Sequence, residues 1–441
     1  MTRLLSTATD MFEVRKLLDR RAFLTEEGDD GVGAKVREIL KNVRERGNDA
    51  LIEYTMRFDK VALSVSDLRV TEYEIERAVK RVSPEFMEAL RLAKKNIENF
   101  HRRQLAQSWV TFEDHGIMLG QRIIPIDRVG LYVPGGAGGT TPLVSTFLMN
   151  AIPALVAGVK NIIVCTPPKQ DRSVDPHLLA AAKEVGVTEI YKVGGAQAVA
   201  AMAFGTATVP RVDKIVGPGN AFVTTAKRQV YGYVGLDTLA GPSEILVIAD
   251  DSANPAWVAS DLLSQAEHGP KDEAGAILLT PSMSLAKKVL KEIDSQLVEL
   301  NKAEIAANSL ERSGGLVVTN DLEEAIELAN FCAPEHLELY LADPFAWLGK
   351  IRHAGAVFLG PYSPEPIGDY VAGTNHVLPT MGLARYASAL SVEDFVKKTS
   401  FISYTKEALA AHGPAAVTLA RAEGLEAHAR SVEERLKKME G

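Results

Sequence analysis

Apolar residues recur at three-to-four spacing through the first ~110 positions, in GAKVREILKNVRERGNDALIEYTMRF and in YEIERAVKRVSPEFMEALRLAKKNIENFHRRQ. That period predicts amphipathic helices, opening with a helical arm over residues 1–30. From residue 128 the texture changes. Short β-branched runs closed by Gly or Pro (GLYVPGG, NIIVCTPP, EIYKVGG, KIVGPGN) alternate with helix-compatible stretches, the pattern of parallel βα units. A second set follows in EILVIAD, AGAILLTP, GGLVVTN and AGAVFLGP. The expected fold class is therefore α/β, with two parallel-sheet βα domains. After Pro379 the strand pattern stops, and residues 381–441 read as a helical tail interrupted by Gly413 and Pro414.

Composition narrows the function classes. With 46% hydrophobic and 24% charged residues the chain is globular rather than disordered. Its net charge of −8 is spread without any basic block, so no nucleic-acid partner is expected. Two distant cysteines, Cys165 and Cys332, argue against a disulfide framework and for a reducing, cytoplasmic compartment. No run approaches ~18 apolar residues, and the first residues lack the apolar core of a signal peptide, so no membrane segment is expected.

Candidate chemistry gathers in a few segments. Glycines close the strands in VPGGAGG (133–139), VGGAQ (193–197) and VGPGN (216–220), where a backbone could approach a phosphate at a helix start. None is a complete GxGxxG, so a standard dinucleotide fingerprint is absent, and tight turns explain the glycines equally well. In DLLSQAEHG, Gln265 and His268 stand three apart, about 60° round a helix, so both can face one metal ion. Two ligands do not make a site, and the polar segment PIGDYVAGTNH offers Asp369 and His376 as further donors; a surface histidine and a capping aspartate are the plain alternative.

APEHLEL sets Glu335 beside His336, and neighbours on a regular strand point to opposite faces. If the chain turns there, the pair becomes a carboxylate and an imidazole able to accept protons at one substrate carbon. Cys332, three residues earlier, invites comparison with a thiol nucleophile, but at the end of an apolar helix it reads better as a buried, inert thiol.

Taken together, RVGLYVPGG, VGGAQAVAAMAFGT, KIVGPGNAFVTTAKRQVYG, AGPSEILVIAD, LLSQAEHG, APEHLEL, PIGDYVAGTNHVLPT, SALSVEDF and RAEGLEAH resemble the histidinol dehydrogenase family, in order and from about residue 30 onward. The resemblance implies a zinc-dependent, NAD-linked enzyme that oxidises L-histidinol through the aldehyde to L-histidine, the end of histidine biosynthesis. It implies zinc ligands Gln265, His268, Asp369 and His428, proton acceptors Glu335 and His336, and NAD contacts Tyr132, Gln197 and Asn220. Ser243, Glu423 and His376 would fall in or near the substrate pocket, shared with the zinc set and His336. It further implies a homodimer in which the C-terminal tail carries His428 into the partner's site.

Glu423 and His428 are five apart, about 140° round a straight helix, so both face one pocket only if the helix bends near Gly424. The expected organisation places the zinc and catalytic residues in a domain built from 31–131 and 241–380, with Rossmann-like topology. The NAD side falls in a second Rossmann-like domain, 132–240. Oxidation of another small alcohol, a zinc hydrolase using Glu335, and a non-catalytic nucleotide-binding regulator are the competing readings.

Overall fold

The structure is a computed structural model that describes residues 2–21, 31–135, 142–238, 241–268 and 274–439. Fourteen strands lie among these residues: β1 (Leu4–Ser6), β2 (Trp109–Glu113), β3 (Ile117–Pro125), β4 (Arg128–Tyr132), β5 (Asn161–Thr166), β6 (Glu189–Lys192), β7 (Lys214–Val216), β8 (Gly235–Leu236), β9 (Glu244–Ala249), β10 (Gly275–Thr280), β11 (Gly315–Val318), β12 (His336–Tyr340), β13 (Ala356–Leu359) and β14 (Val396–Ser403).

Two parallel sheets form the frame. The first runs β6-β5-β4-β7-β8 and the second β1-β11-β10-β9-β12-β13. Leaving out β1, both follow the same order when their strands are counted along the chain, third-second-first-fourth-fifth, the order of a Rossmann-type half. Apart from β1, β8 and β13, their strands are mostly buried, and most read as near-continuous Val, Ile and Leu runs, as doubly covered parallel sheets require. Five helices cover the six-stranded sheet: Pro255–Ala266, Met283–Leu297 and Ala303–Arg312 on one face, Thr7–Leu18 and Leu322–Cys332 on the other.

Three features depart from the sequence expectation. The N-terminal arm is not wholly helical: β1 adds a parallel edge strand beside β11, pairing Leu4 with Leu316. Three residues carry no readable period, and only the waiting edge of β11 makes LLS a strand. Second, strands do not stop at Pro379, because β14 pairs antiparallel with β3, which also pairs with β2. Its sequence VKKTSFIS is mostly exposed and lacks an alternating pattern, so its pairing was not legible. Third, the helix Lys406–Ala422 runs straight through Gly413 and Pro414, and the break falls instead at Gly424, with φ +75°. Gly413 is buried, and a Cβ there would press to 3.1 Å from Leu436 of the last helix, so it serves as a close-packing point between the two.

Helices Val32–Arg46 and Asn48–Phe58 bury Val36, Ile39, Val43 and Leu51 against the alanine-rich helix Gly195–Phe204, under the five-stranded sheet. The sequence expectation grouped 31–131 with the other sheet. Helical periodicity shows which face is apolar, not which partner covers it.

Candidate functional site

The apolar helix Leu322–Cys332 ends with Ala333 in the left-handed region, φ +53°, followed by Pro334. For a residue with a Cβ that conformation costs about 1 kcal/mol. It reverses the chain so that Glu335 and His336 no longer point apart. Both close on the peptide of Glu244: Glu335 Oε2 accepts its N–H at 2.9 Å, and His336 Nδ1 donates to its carbonyl at 3.0 Å. The Glu335 and His336 side chains lie 3.6 Å apart, both buried.

Binding Nδ1 to a carbonyl leaves the lone pair on His336 Nε2. That atom is buried without a hydrogen-bond partner and faces Glu365 Oε1 at 3.8 Å and Asp369 Oδ1 at 3.9 Å. Burial pushes the imidazole down to about 4, so it stays neutral at physiological pH. Burial pushes Glu335 well above the ordinary carboxylate range, and the neighbouring Glu244, Asp369 and Glu365 add to the shift.

Glu365 and Asp369 sit on a helical turn, Glu365–Ile367, that runs into a π turn, Gly368–Ala372, a form that recurs at functional sites. Burial raises Glu365 to about 9 and Asp369 to about 6. The segment is clamped beyond the sheet: Asn96 donates to the Val371 carbonyl and Asn375 to the Met149 carbonyl, tying it to helices that cover the five-stranded sheet. His376 Nδ1 donates to the Asp369 carbonyl at 3.1 Å, and burial lowers its pKa to about 4.

Gln265 is fully buried at the end of helix Pro255–Ala266, and its Nε2 stands 3.1 Å from His268 Nδ1. Its Oε1 has no partner, which leaves an amide oxygen and an imidazole nitrogen aimed at one region. His268 feels the charge of His376, as does His336 that of both, which puts the three imidazoles in one electrostatic neighbourhood. His336, Glu365 and Asp369 offer donor atoms all within 4.8 Å of one another, a group able to hold a metal ion. Ser243 directly precedes Glu244.

His428 and Glu423 are not brought to this cluster within the chain. Both are exposed on the terminal helices, where the bend at Gly424 separates them. Cys332 and Cys165 are buried and burial pushes both thiols far up, so neither is a nucleophile.

Tyr132, Gln197 and Asn220, the expected NAD contacts, lie at or just beyond the carboxyl ends of strands in the five-stranded sheet, whose order reverses between β4 and β7. The Tyr132 hydroxyl accepts the Gly195 N–H at 3.0 Å. Gln197 is buried with Oε1 unpartnered, and Asn220 caps the helix Ala221–Val230. Gly217 has φ +115°, and a Cβ there would meet the Tyr132 carbonyl at 2.2 Å, so only glycine fits. Residues 136–139 of VPGGAGG lie outside the described residues. The Glu335–His336 pair, by contrast, stands at the amino ends of β9 and β12, opposite to the usual crevice.

Sequence reasoning missed Glu244, Glu338, Glu365, Asp261 and Arg20. A signal existed for two of them: Glu244 and Glu338 are buried acids inside strands otherwise fit for a doubly covered sheet.

Comparison with known proteins shows the family and the fold. A profile described as histidinol dehydrogenase matches residues 24–436. A histidinol dehydrogenase of Geobacillus kaustophilus is 53% identical over 415 residues, 94% of this chain and 96% of that one. One from Thermosynechococcus vestitus is 50% identical over 438 residues, 99% and 100% of the two chains. The crystal structure of histidinol dehydrogenase from Elizabethkingia anophelis superposes with a TM-score of 0.92 at 40% identity, covering 100% of this chain and 99% of that one. Among the described residues no helix is long and apolar enough to cross a membrane. The chain belongs to the histidinol dehydrogenase family and is an oxidoreductase of the final step of histidine biosynthesis.

Proposed function

We propose that this chain carries out the zinc-dependent, four-electron oxidation of L-histidinol through L-histidinaldehyde to L-histidine with two NAD, as a cytoplasmic homodimer. The observation that carries the reading is the buried, unpartnered Nε2 of His336 beside Asp369, with Glu335 held on the same peptide.

The donor set suits zinc: an unpartnered buried amide oxygen on Gln265, the imidazole of His268 and the carboxylate of Asp369, with His428 of the tail as the fourth. When bound, zinc supplies a Lewis-acid anchor for the substrate's nitrogens, and nicotinamide takes hydride in each of the two oxidations.

The chain's own residues move the protons. His336, neutral and held in one tautomer by the Glu244 carbonyl, accepts the carbinol hydroxyl proton at Nε2. The aldehyde must add water before a second hydride can leave, and Glu335 accepts the proton of that water. A carboxyl raised by burial suits a base that works near neutral pH. Asp369 offsets the charge of the cationic substrate, with Ser243, His376 and Glu423 lining its pocket. Tyr132, Gln197 and Asn220 hold NAD at the glycine-bearing strand ends.

His428 and Glu423 lie away from the cluster, and Trp109, Phe112, Ile402 and Leu419 leave exposed apolar surface on the three-stranded sheet and the tail. Both features support a dimer in which the tail completes the partner's site.

The test is NADH formed per L-histidinol consumed to completion, with and without chelation. Two NADH, lost on chelation and restored by zinc, is the expected result; one NADH would mean that oxidation stops at the aldehyde, and none would sink the assignment.

A further inference from the structure

We propose that the buried ion pair of Lys227 and Asp237 positions the cofactor loop: the two side chains hold the backbone of Gly217 from both sides and so set residues 217–220, which end in Asn220. The inference rests on the NAD assignment above and extends it to two residues that act through the loop backbone. The Gly217 N–H donates to Asp237 Oδ2 at 2.7 Å, and the Gly217 carbonyl accepts from Lys227 Nζ at 2.9 Å. Lys227 Nζ also donates to Asp237 Oδ1, which closes a ring of charge-assisted hydrogen bonds around one residue. Its remaining N–H goes to the Thr238 carbonyl at 3.2 Å, so every ammonium donor is used. Each of the two side chains is 3% exposed.

The two partners come from different elements. Lys227 lies within helix Ala221–Val230, which Asn220 caps, and Asp237 directly follows β8. β8 pairs with β7, whose last residue, Val216, precedes Gly217. The chain thus leaves the loop at Asn220 and returns a cation from the helix to the loop's first residue. Gly217 and Gly219 give the loop backbone little restraint of its own, so its shape must come from outside. Stability alone does not call for a buried ion pair, because two charges lose their hydration and apolar residues of equal volume serve a core as well. Apolar residues cannot, however, bond both the N–H and the carbonyl of Gly217. The clamp holds the loop against Tyr132 before cofactor arrives, and preorganisation of that kind is read out as affinity.

The test uses the full-length protein and steady-state kinetics with NAD and L-histidinol varied in turn, beside zinc content. Lys227→Met alone strands a buried carboxylate, so the deciding variant combines Lys227→Met with Asp237→Asn. This removes both charges, keeps an acceptor for the Gly217 N–H and releases the Gly217 carbonyl. In it KM for NAD should rise about tenfold, with KM for L-histidinol and zinc content within about twofold of the parent. Lys227→Arg, which keeps the cation, should fall between the parent and the double variant. A parent-like KM for NAD in the double variant, or an equal rise in both KM values, would overturn the clamp alone. If the double variant does not fold, the parent decides: the clamp requires the Gly217 amide to resist hydrogen exchange before NAD is added, and protection that appears only with NAD would overturn it. Gln197→Leu and Asn220→Ala test the pocket itself, and a parent-like KM for NAD in both would overturn the NAD assignment and the clamp with it.

Discussion

The imidazole of His336 donates from Nδ1 to the carbonyl oxygen of Glu244, 3.0 Å away, across the start of two neighbouring parallel strands. This one bond sets the tautomer and turns Nε2 into the free base. His336→Asn keeps a donor for Glu244 but has no nitrogen at the Nε2 position. Its kcat should fall about 10²–10⁴-fold, while zinc content, set by other donors, stays at the parent level. Loss of zinc in parallel with activity would make His336 a ligand through the group it forms with Glu365 and Asp369.

Glu335 serves only the second oxidation in the proposed scheme. Glu335→Gln should therefore oxidise L-histidinol to the aldehyde and stall, moving the yield from two NADH per substrate toward one. Trapping the aldehyde with a hydrazine and counting NADH checks this; an unchanged ratio of two would remove Glu335 from the water step.

Arg20, just after the first helix, pairs with Glu244 at 2.5 Å, each side chain 3% exposed. Removing one member of a buried pair strands the other charge. Arg20→Met should lower unfolding stability by about 3–5 kcal/mol in urea titration, with Arg20→Lys restoring part of it. Because the Glu244 peptide also holds both side chains proposed to be catalytic, kcat should fall with stability in Arg20→Met.

Asp59 carries a buried Oδ2 without a partner, and burial raises its carboxyl from 3.8 to about 6. Between those values the folded chain holds a proton that the unfolded chain has released. Its contribution is present below about pH 4 and is lost as pH rises through about 6. Allowing for its partial exposure, Asp59→Asn should stabilise the chain by about 1–2 kcal/mol at pH 7, with no gain at pH 4. Urea midpoints at the two pH values measure the difference.

His428 belongs, in the proposed dimer, to the neighbouring site. His428→Ala should lose zinc and activity together. Co-refolding it with His336→Asn should recover about a quarter of parent activity, since half the dimers are mixed and each of those has one intact site. No recovery from two inactive chains would place His428 in its own chain's site.

Periodicity and strand-end glycines marked the two parallel βα sets: six of the eight β-runs end within two residues of a Gly or Pro, and they were legible because a strand buried on both faces must be apolar along its length. Gln265 with His268, Glu335 with His336, and Asp369 were legible as polar residues in apolar or irregular surroundings. Tertiary structure alone decided that Ala333 reverses the chain and that one peptide at Glu244 holds both Glu335 and His336. It also decided that LLS near the start and VKKTSFIS near the end are strands. The physical reason is common to these cases. Local sequence determines which backbone conformation and which apolar face a segment favours, whereas a buried polar contact or an edge pairing exists only once a partner far along the chain supplies the other half of the hydrogen bond.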